Sequence, residues 1–446
     1  MSAPSLSLGL SRQDLPRAVL ELCERLERAG YRAWVVGGSV RDSLAVQLAG
    51  GDTRAAWHAK DWDLATDATP EQVIPLFRKV IPTGIDHGTV TVLLHGLNLE
   101  VTTLRADRSY SDGRRPEQIE FVNSIEEDLA RRDFTVNAIA FEPRTEALID
   151  PFGGIADLQA RRLRAVGEAA RRFAEDGLRV LRAARLVATL EFELDPATAA
   201  AIRPSLDTYR RVSAERIRDE WNKALRAPTP SRAFRVMHEH GLLAITAPAL
   251  QALGAPQGDS PLERSLARVD HCPRDPELRL AALLHELAPE PARAAELADA
   301  LLSDLRYSNA ERKHITHLVR HPLPPPRELE TAPSLRRWLR RIGPELHPQA
   351  CALARADLLA RLAPERELEA LGALERRAAT VLAENPPLGL GALAIDGKVL
   401  MREAGFQPSR QLGVVLEALL DHVLEDPSAN TREKLLELAR ALRAAT

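Results

Sequence analysis

All of the strand-like sequence in this chain lies in its first third, and that most restricts the fold. The stretch VIPTGIDHGTVTVLLHGLNLEVTTLR, residues 80–105, alternates in character and is rich in Val and Thr. It predicts two or three strands with turns at Gly84, Gly88 and Gly96. YRAWVVGG near residue 35 and IEFVN near residue 120 read as further strands. From about Glu126 the period changes to helical, and from about Glu168 nearly everything is helical, rich in Leu, Ala, Arg and Glu. RQDLPRAVLELCERLERAG, residues 12–30, is an earlier helix with Gly30 placed to end it. The fold class that follows is α+β: a small sheet-containing head, then an all-helical remainder. Proline clusters at HPLPPPRELETAPS (321–334) and ENPPLGLGAL (384–393) mark breaks in the helical part. No fixed-period repeat points to a solenoid.

Composition narrows the class further. At 446 residues, 45% hydrophobic and 28% charged, the chain reads as a soluble globular protein of several domains. No apolar run approaches the ~20 residues a membrane-spanning helix needs. MSAPSLSLGLSRQDL lacks the basic start and apolar stretch of a signal peptide, so a loose leader over 1–11 and a cytoplasmic location are expected. Cys23, Cys272 and Cys351 are scattered and form neither a disulfide framework nor a zinc spacing. A net charge of −3 gives no argument for a nucleic-acid partner. Nearly all the positive charge is arginine, so a single arginine is weak evidence here.

Two short stretches carry chemistry. In AWVVGGSVRDSL (33–44), a buried strand gives way to a helix through Gly37 and Gly38, with Arg41 following. Such a joint is either a tight turn beside a surface arginine or a cradle for phosphates. Downstream, KDWDLATDATPEQV places Asp61 and Asp63 two residues apart, on one face if the segment is a strand. Two carboxylates that close repel unless a cation lies between them, and hard divalent ions such as Mg²⁺ bind oxygen ligands together with substrate phosphates. Glu100, opening EVTTLR on a later strand, is the natural third acid. Cradle plus acids is the layout for phosphoryl or nucleotidyl transfer.

VVGGSVRD, DWDLAT, PTGIDHGTVTV, EVTTLR, EEDLARRDFTVNAIAF, DPFGGIADLQARRLRAVG and RFAEDGLRVLRAARL occur in that order. Together they resemble the class II tRNA nucleotidyltransferase family, the CCA-adding enzymes and their poly(A) polymerase relatives, densely from about residue 31 to 225. The resemblance implies a polymerase-β-like nucleotidyltransferase head over 12–150, a helical neck with a base-reading motif over 151–225, a helical body over 226–325 and a tRNA-binding helical tail over 326–446. It places Gly37, Gly38 and Arg41 at the triphosphate, Asp61 and Asp63 at a two-metal Mg²⁺ site, and Arg132 at the nucleotide. Asp133 and Asn137 would face the sugar, Asp176 and Arg179 would read the base edge, and Arg182 and Arg185 would make further nucleotide contacts. The helical segment agrees on its own terms. Asp176, Arg179, Arg182 and Arg185 recur at three-residue steps, which predicts one slowly drifting face of a helix. A carboxylate accepts from cytosine N4 or adenine N6, and an arginine donates to a ring acceptor.

The implied activity is template-independent addition of C, C and A to the tRNA 3′ end from CTP and ATP. Addition of A alone, addition of CC or poly(A), and non-catalytic RNA binding are the alternatives. The segment VTTLRADRSYSDGRRPEQIEF after Glu100 resembles the full flexible loop of CCA-adding enzymes, which disfavours CC-only addition. SLAVQLAGGDTRAAWHAK, residues 43–60, is longer than the family's compact link. In SAERIRDEWNKAL (213–225), Ser213 is placed to cap a helix whose Arg216 and Glu220 would support the base reader. His285–Glu286 stands where some relatives carry an HD phosphohydrolase signature, with Glu in place of Asp, and no second active site is assigned to it. Arg336, Arg337, Arg340 and Arg341 form the basic cluster proposed to grip the acceptor arm.

Overall fold

The computed structural model describes residues 10–51, 61–110, 116–255 and 257–444, with the side chains of Asp61, 106–110 and 116–120 left aside. The chain divides into two compact units, residues 1–246 and 247–446.

The first unit is built on one seven-stranded sheet with strand order β3-β4-β5-β2-β1-β8-β9. Its strands are β1 (Ala33–Val36), β2 (Asp61–Thr66), β3 (Val80–Gly84), β4 (Thr89–Leu94), β5 (Leu97–Thr103), β8 (Ala140–Glu142) and β9 (Ala147–Ile149). β3, β4 and β5 form the antiparallel meander expected from the Val/Thr alternation. Gly88 and Gly96 turn it at positive φ. β2 enters parallel to β5 and antiparallel to β1. The segment after Glu100 continues as a separate two-stranded ribbon, β6 (Arg105–Tyr110) with β7 (Pro116–Phe121).

Alternation along β2 decides what each face carries. Trp62 and Leu64 are fully buried on one side. Ala65 on the other side joins a core with Trp34, Val36, Leu104 and, from helix α3 (Ile125–Ala130), Ile125 and Leu129. Two residues before Ala65, on that same side, Asp63 is exposed. The sheet face is thus covered at one end and open at the end where the acids lie.

Helix α1 (Arg17–Arg28) precedes β1 and ends at Gly30, whose φ is +91°. Helix α2 (Gly38–Leu48) begins directly after the glycine pair. Residues 43–48 of the long link therefore extend a helix, and 52–60 lie outside the described residues. Helices α4 (Ala169–Glu175), α5 (Leu178–Leu190), α6 (Ala214–Leu225) and α7 (Ser231–Glu239) complete the first unit.

The second unit is helical throughout: α8 (Pro261–His271), α9 (Pro276–Leu284), α10 (Pro291–Asp304), α11 (Asn309–Arg320), α12 (Ala332–Ile342), α13 (His347–Ala360), α14 (Glu365–Ala383), α15 (Arg410–Glu425) and α16 (Arg432–Ala444). The proline break near 325 falls between α11 and α12, and the second falls after α14, because proline lacks the N–H that would continue a helix.

Candidate active site

The site starts at the joint between β1 and α2. Gly37 has φ +77° and ψ −135°, a conformation that L side chains rarely adopt. A Cβ there would also come within 3.0 Å of Arg132 Nη1 and 3.3 Å of Asp63 Oδ2. Glycine is needed twice over, for the backbone angle and for the space. Its absent side chain leaves the start of α2 beside both an acid and a guanidinium. Arg132 is loosely held: 3.4 Å to Asp128 and 3.5 Å to the Asn137 carbonyl, with a buried Nε lacking a partner among the described residues.

Strand register assembles the acids. Asp63 on β2 is paired directly with Glu100 on β5, so the two stand abreast, both exposed. Asp61 opens β2 two residues earlier, opposite Asn98. Among the described residues no group of three His, Cys, Asp or Glu is already arranged around a metal position. The donor chemistry nonetheless fits a hard divalent cation, since neighbouring carboxylates on adjacent strands offer only oxygen.

A buried polar chain runs from this joint into the neck helices. Arg41 is 11% exposed at its side chain and donates from Nη1 to Asn137 Oδ1 at 2.6 Å. Asn137 Nδ2 donates to Asp133 Oδ1 at 3.2 Å. The other oxygen of Asp133 accepts from Arg182 Nε at 2.7 Å. Burial works against the charge on Asp133, yet Arg182, with Arg179 behind it, outweighs this and holds the carboxyl well below the usual range. Asp133 in turn holds the Arg182 guanidinium above its ordinary range. Arg185 pairs with Glu220 on α6; burial alone would raise the Glu220 carboxyl, and Arg185, Arg182 and Lys223 together lower it.

The base-reading segment differs from a single helix. Asp176 is extended, with φ −147° and ψ 110°, and separates α4 from α5. Gly177 follows in the αR region, and close packing requires glycine there, because a Cβ would lie 2.4 Å from the Thr208 carbonyl oxygen. Asp176 Oδ1 then accepts from Leu178 N at 2.9 Å, closing the open end of α5. Only Arg179, Arg182 and Arg185 share a helix.

Arg216 donates to both oxygens of Asp176, at 3.2 and 2.6 Å. Those two bonds and the one from Leu178 leave one of the carboxylate's four lone-pair positions open, on Oδ2. Arg179 donates to the Arg172 carbonyl, Glu175 and the Arg131 carbonyl, which leaves two of its five N–H groups. An acceptor and a short donor set therefore remain near one another.

Glu175, Asp128 and Arg131 escaped the reading of the sequence, although each fixes a site residue. Glu175 anchors Arg179, Asp128 anchors Arg131 and Arg132, and the Arg131 carbonyl takes Arg179. Their signal was adjacency to the motifs. Ser213 stands at the helix start without a side-chain capping bond.

The second unit uses its charges otherwise. Glu286 pairs with Arg264 and Arg268, and Arg268 also pairs with Asp357. Glu286, Arg268 and Asp357 line a cleft of about 780 Å³ with His285 and His321. Of the proposed basic cluster, Arg336 is buried and donates to the Leu424 and Glu425 carbonyls. Arg337 pairs with Glu425, and Arg340 with Glu417 and Asp421. Three of the four arginines pin α12 to α15; Arg341 is exposed.

Residues 33–164 match the family described as "Poly A polymerase head domain", and residues 191–253 match "Probable RNA and SrmB- binding site of polymerase A". A CCA-adding enzyme of Latilactobacillus sakei is 34% identical over 422 residues, 94% of this chain and 97% of that enzyme. A CCA-adding enzyme of Lactobacillus johnsonii is 44% identical over 225 residues; there the chain spans about half the relative's length, 54%. The crystal structure of the Bacillus stearothermophilus CCA-adding enzyme in complex with CTP matches with a TM-score of 0.76 at 29% identity, covering 96% of this chain and 98% of that one.

Proposed function

The chain belongs to the CCA-adding enzyme family, and we propose that it adds C, C and A in turn to the 3′ end of tRNA, taking CTP and ATP and releasing pyrophosphate. The observation that carries this reading is the juxtaposition of Asp63, Glu100, Gly37 and Arg132 at one open sheet end, joined by side chains to α5. A cytoplasmic location accompanies it; among the described residues no helix is long and apolar enough to cross a membrane.

In this mechanism the start of α2, an 11-residue helix, receives the triphosphate with its open N–H groups. Arg41 and Arg132 supply the charge, and the absent side chain of Gly37 lets the phosphates approach the backbone. Asp61, Asp63 and Glu100 would hold Mg²⁺, as two ions. Bound there, the metal supplies Lewis-acid activation of the 3′-hydroxyl and stabilises the departing pyrophosphate. The 3′ oxygen forms its bond to the α-phosphorus as the bond to pyrophosphate breaks. Asp176 accepts from the exocyclic amine of C or A while Arg179 donates to a ring acceptor, a pattern that U and G do not match. Arg182 and Arg185 back the reader through Asp133 and Glu220.

The test is incubation with tRNA lacking its CCA end, Mg²⁺, and labelled CTP and ATP, singly and together. CTP alone is expected to add two residues, and both nucleotides are expected to add three and stop. Addition of A only, of CC only or of long A tracts would replace this reading with the corresponding relative's activity. No addition at all would leave a non-catalytic RNA-binding protein.

A further inference from the structure

We propose that Asn137 is a positioning residue that couples the hold on the nucleotide's triphosphate to the choice of its base, an inference that rests on the nucleotidyl-transfer reading above. The two jobs belong to separate elements: Arg41 stands on α2, and Arg179 stands on α5 one turn before Arg182. Between Arg41 and Arg182 lie only two side chains, Asn137 and Asp133.

The chemistry of this bridge fixes its direction. Arg41 can only donate, so the Asn137 atom facing it is the amide oxygen, at 2.6 Å. The ionised Asp133 can only accept, so the atom facing it is the amide nitrogen, at 3.2 Å. Turning the amide over would set N–H against N–H at one end and oxygen against oxygen at the other. Neither aspartate nor leucine, the near-isosteric replacements, keeps both bonds. Both Asn137 and Asp133 are buried, where a broken polar link is costly.

The backbone at this point is anchored, so the bridge transmits movement instead of absorbing it. Asn137 N donates to the Phe134 carbonyl, and Ala138 N to the Thr135 carbonyl. The Thr135 hydroxyl is held by Asp157 at 2.7 Å. Asp133 also accepts from Phe134 N at 2.9 Å. With the backbone held still, a rotation of α5 that shifts Arg179 also strains the Arg182–Asp133 pair and, through it, the Asn137 side chain. A phosphate drawing on Arg41 acts on the same link from its other end. Base fit and phosphate hold thereby become one event, which is how binding energy from one part of a substrate serves positioning at another.

A double-mutant cycle tests the coupling. The intact protein, Asn137→Ala, Arg182→Gln and the double variant are compared for kcat and KM with CTP and with UTP on tRNA lacking CCA. Asn137→Ser, which keeps one hydroxyl in the gap, is the partial-rescue arm, and thermal melts confirm folding. We expect Asn137→Ala to raise KM for CTP by about tenfold and to lower CTP-over-UTP discrimination by a similar factor, as for one lost charged hydrogen bond. Asn137→Ser should recover part of both, and the double variant should be little worse than Arg182→Gln alone. A KM increase with the CTP-over-UTP ratio unchanged, or losses that multiply in the double variant, would overturn the coupling. Should Asn137→Ala not fold, Asn137→Ser against Arg182→Gln supplies the same cycle. Failure of the underlying reading looks different: the unmodified protein would incorporate no CTP.

Discussion

The two units both link arginines and carboxylates end to end, and they put those networks to different uses. In the first unit the pairs are linked end to end, from Arg41 through Asn137 and Asp133 to Arg182, with Arg185 and Glu220 beyond. Part of that unit's polar capacity remains open: a lone pair on Asp176, two N–H groups on Arg179 and the buried Nε of Arg132. In the second unit, Arg268 joins α8 to Asp357 of α13, and Arg336 joins α12 to the end of α15. The first belongs to a chain running from Arg264 through Glu286, Arg268, Asp357 and Arg361 to Glu367, and both hold helix to helix. An abundance of arginine is therefore no mark of a site in this chain. A site shows in which donors and acceptors the network leaves over.

The largest effect that could break this contrast comes from the acids. Asp63→Ala should lower nucleotide addition by more than about 10³-fold, because several kcal/mol of charge stabilisation are lost. Gel-shift affinity for tRNA should stay within a few fold. Incorporation near the unmodified rate would remove Asp63 from the metal site.

A smaller effect separates the two networks. Arg268→Leu leaves Glu286 and Asp357 without their shared partner. Because Asp357 is 41% exposed, the cost should be about 2–3 kcal/mol, less than for a fully buried pair. Urea unfolding of the full chain reads this, while kcat of the folded fraction should not change. A fall in kcat at full folding would mean that the second unit's network also serves the chemistry.

The smallest effect is in pH. Burial, with Arg268 adding to it, pushes His285 below its ordinary value of 6.5. It is neutral when folded and takes a proton when unfolded, so its contribution to stability is complete above about pH 6.5. That contribution is lost as pH falls toward the depressed folded value. Asp133 has the same sign, but its window lies far lower, below the usual carboxylate range. His240 and His321 are also lowered by burial and act in the same direction as His285. His285→Gln should therefore remove only part of the fall in melting temperature between pH 7 and 5. An unchanged slope would show that its ring is solvated.

Periodicity determined the fold class. Period-two alternation around residues 80–105 and helical spacing through most of the chain after Glu168 are local properties, and local sterics and face burial suffice to read them; β8 and β9, which fall after the expected change to helix at Glu126, join the sheet through pairing with β1. The acid pair, the glycine joint and the order of the motifs were legible for the same reason, since each depends on residues close together in sequence. Tertiary structure decided the rest. Asp63 meets Glu100 only through the parallel β2–β5 pairing, whose register is set by which face is buried. Asp176 leaves the arginine-bearing helix and Gly177 packs against the backbone at Thr208, and no spacing within the motif encodes either. The tail arginines read as one basic cluster because sequence gives the charge of a side chain but not its partner. Partners such as Glu425 for Arg337, or Asp133 for Arg182, lie many residues away and become known only when the chain has folded.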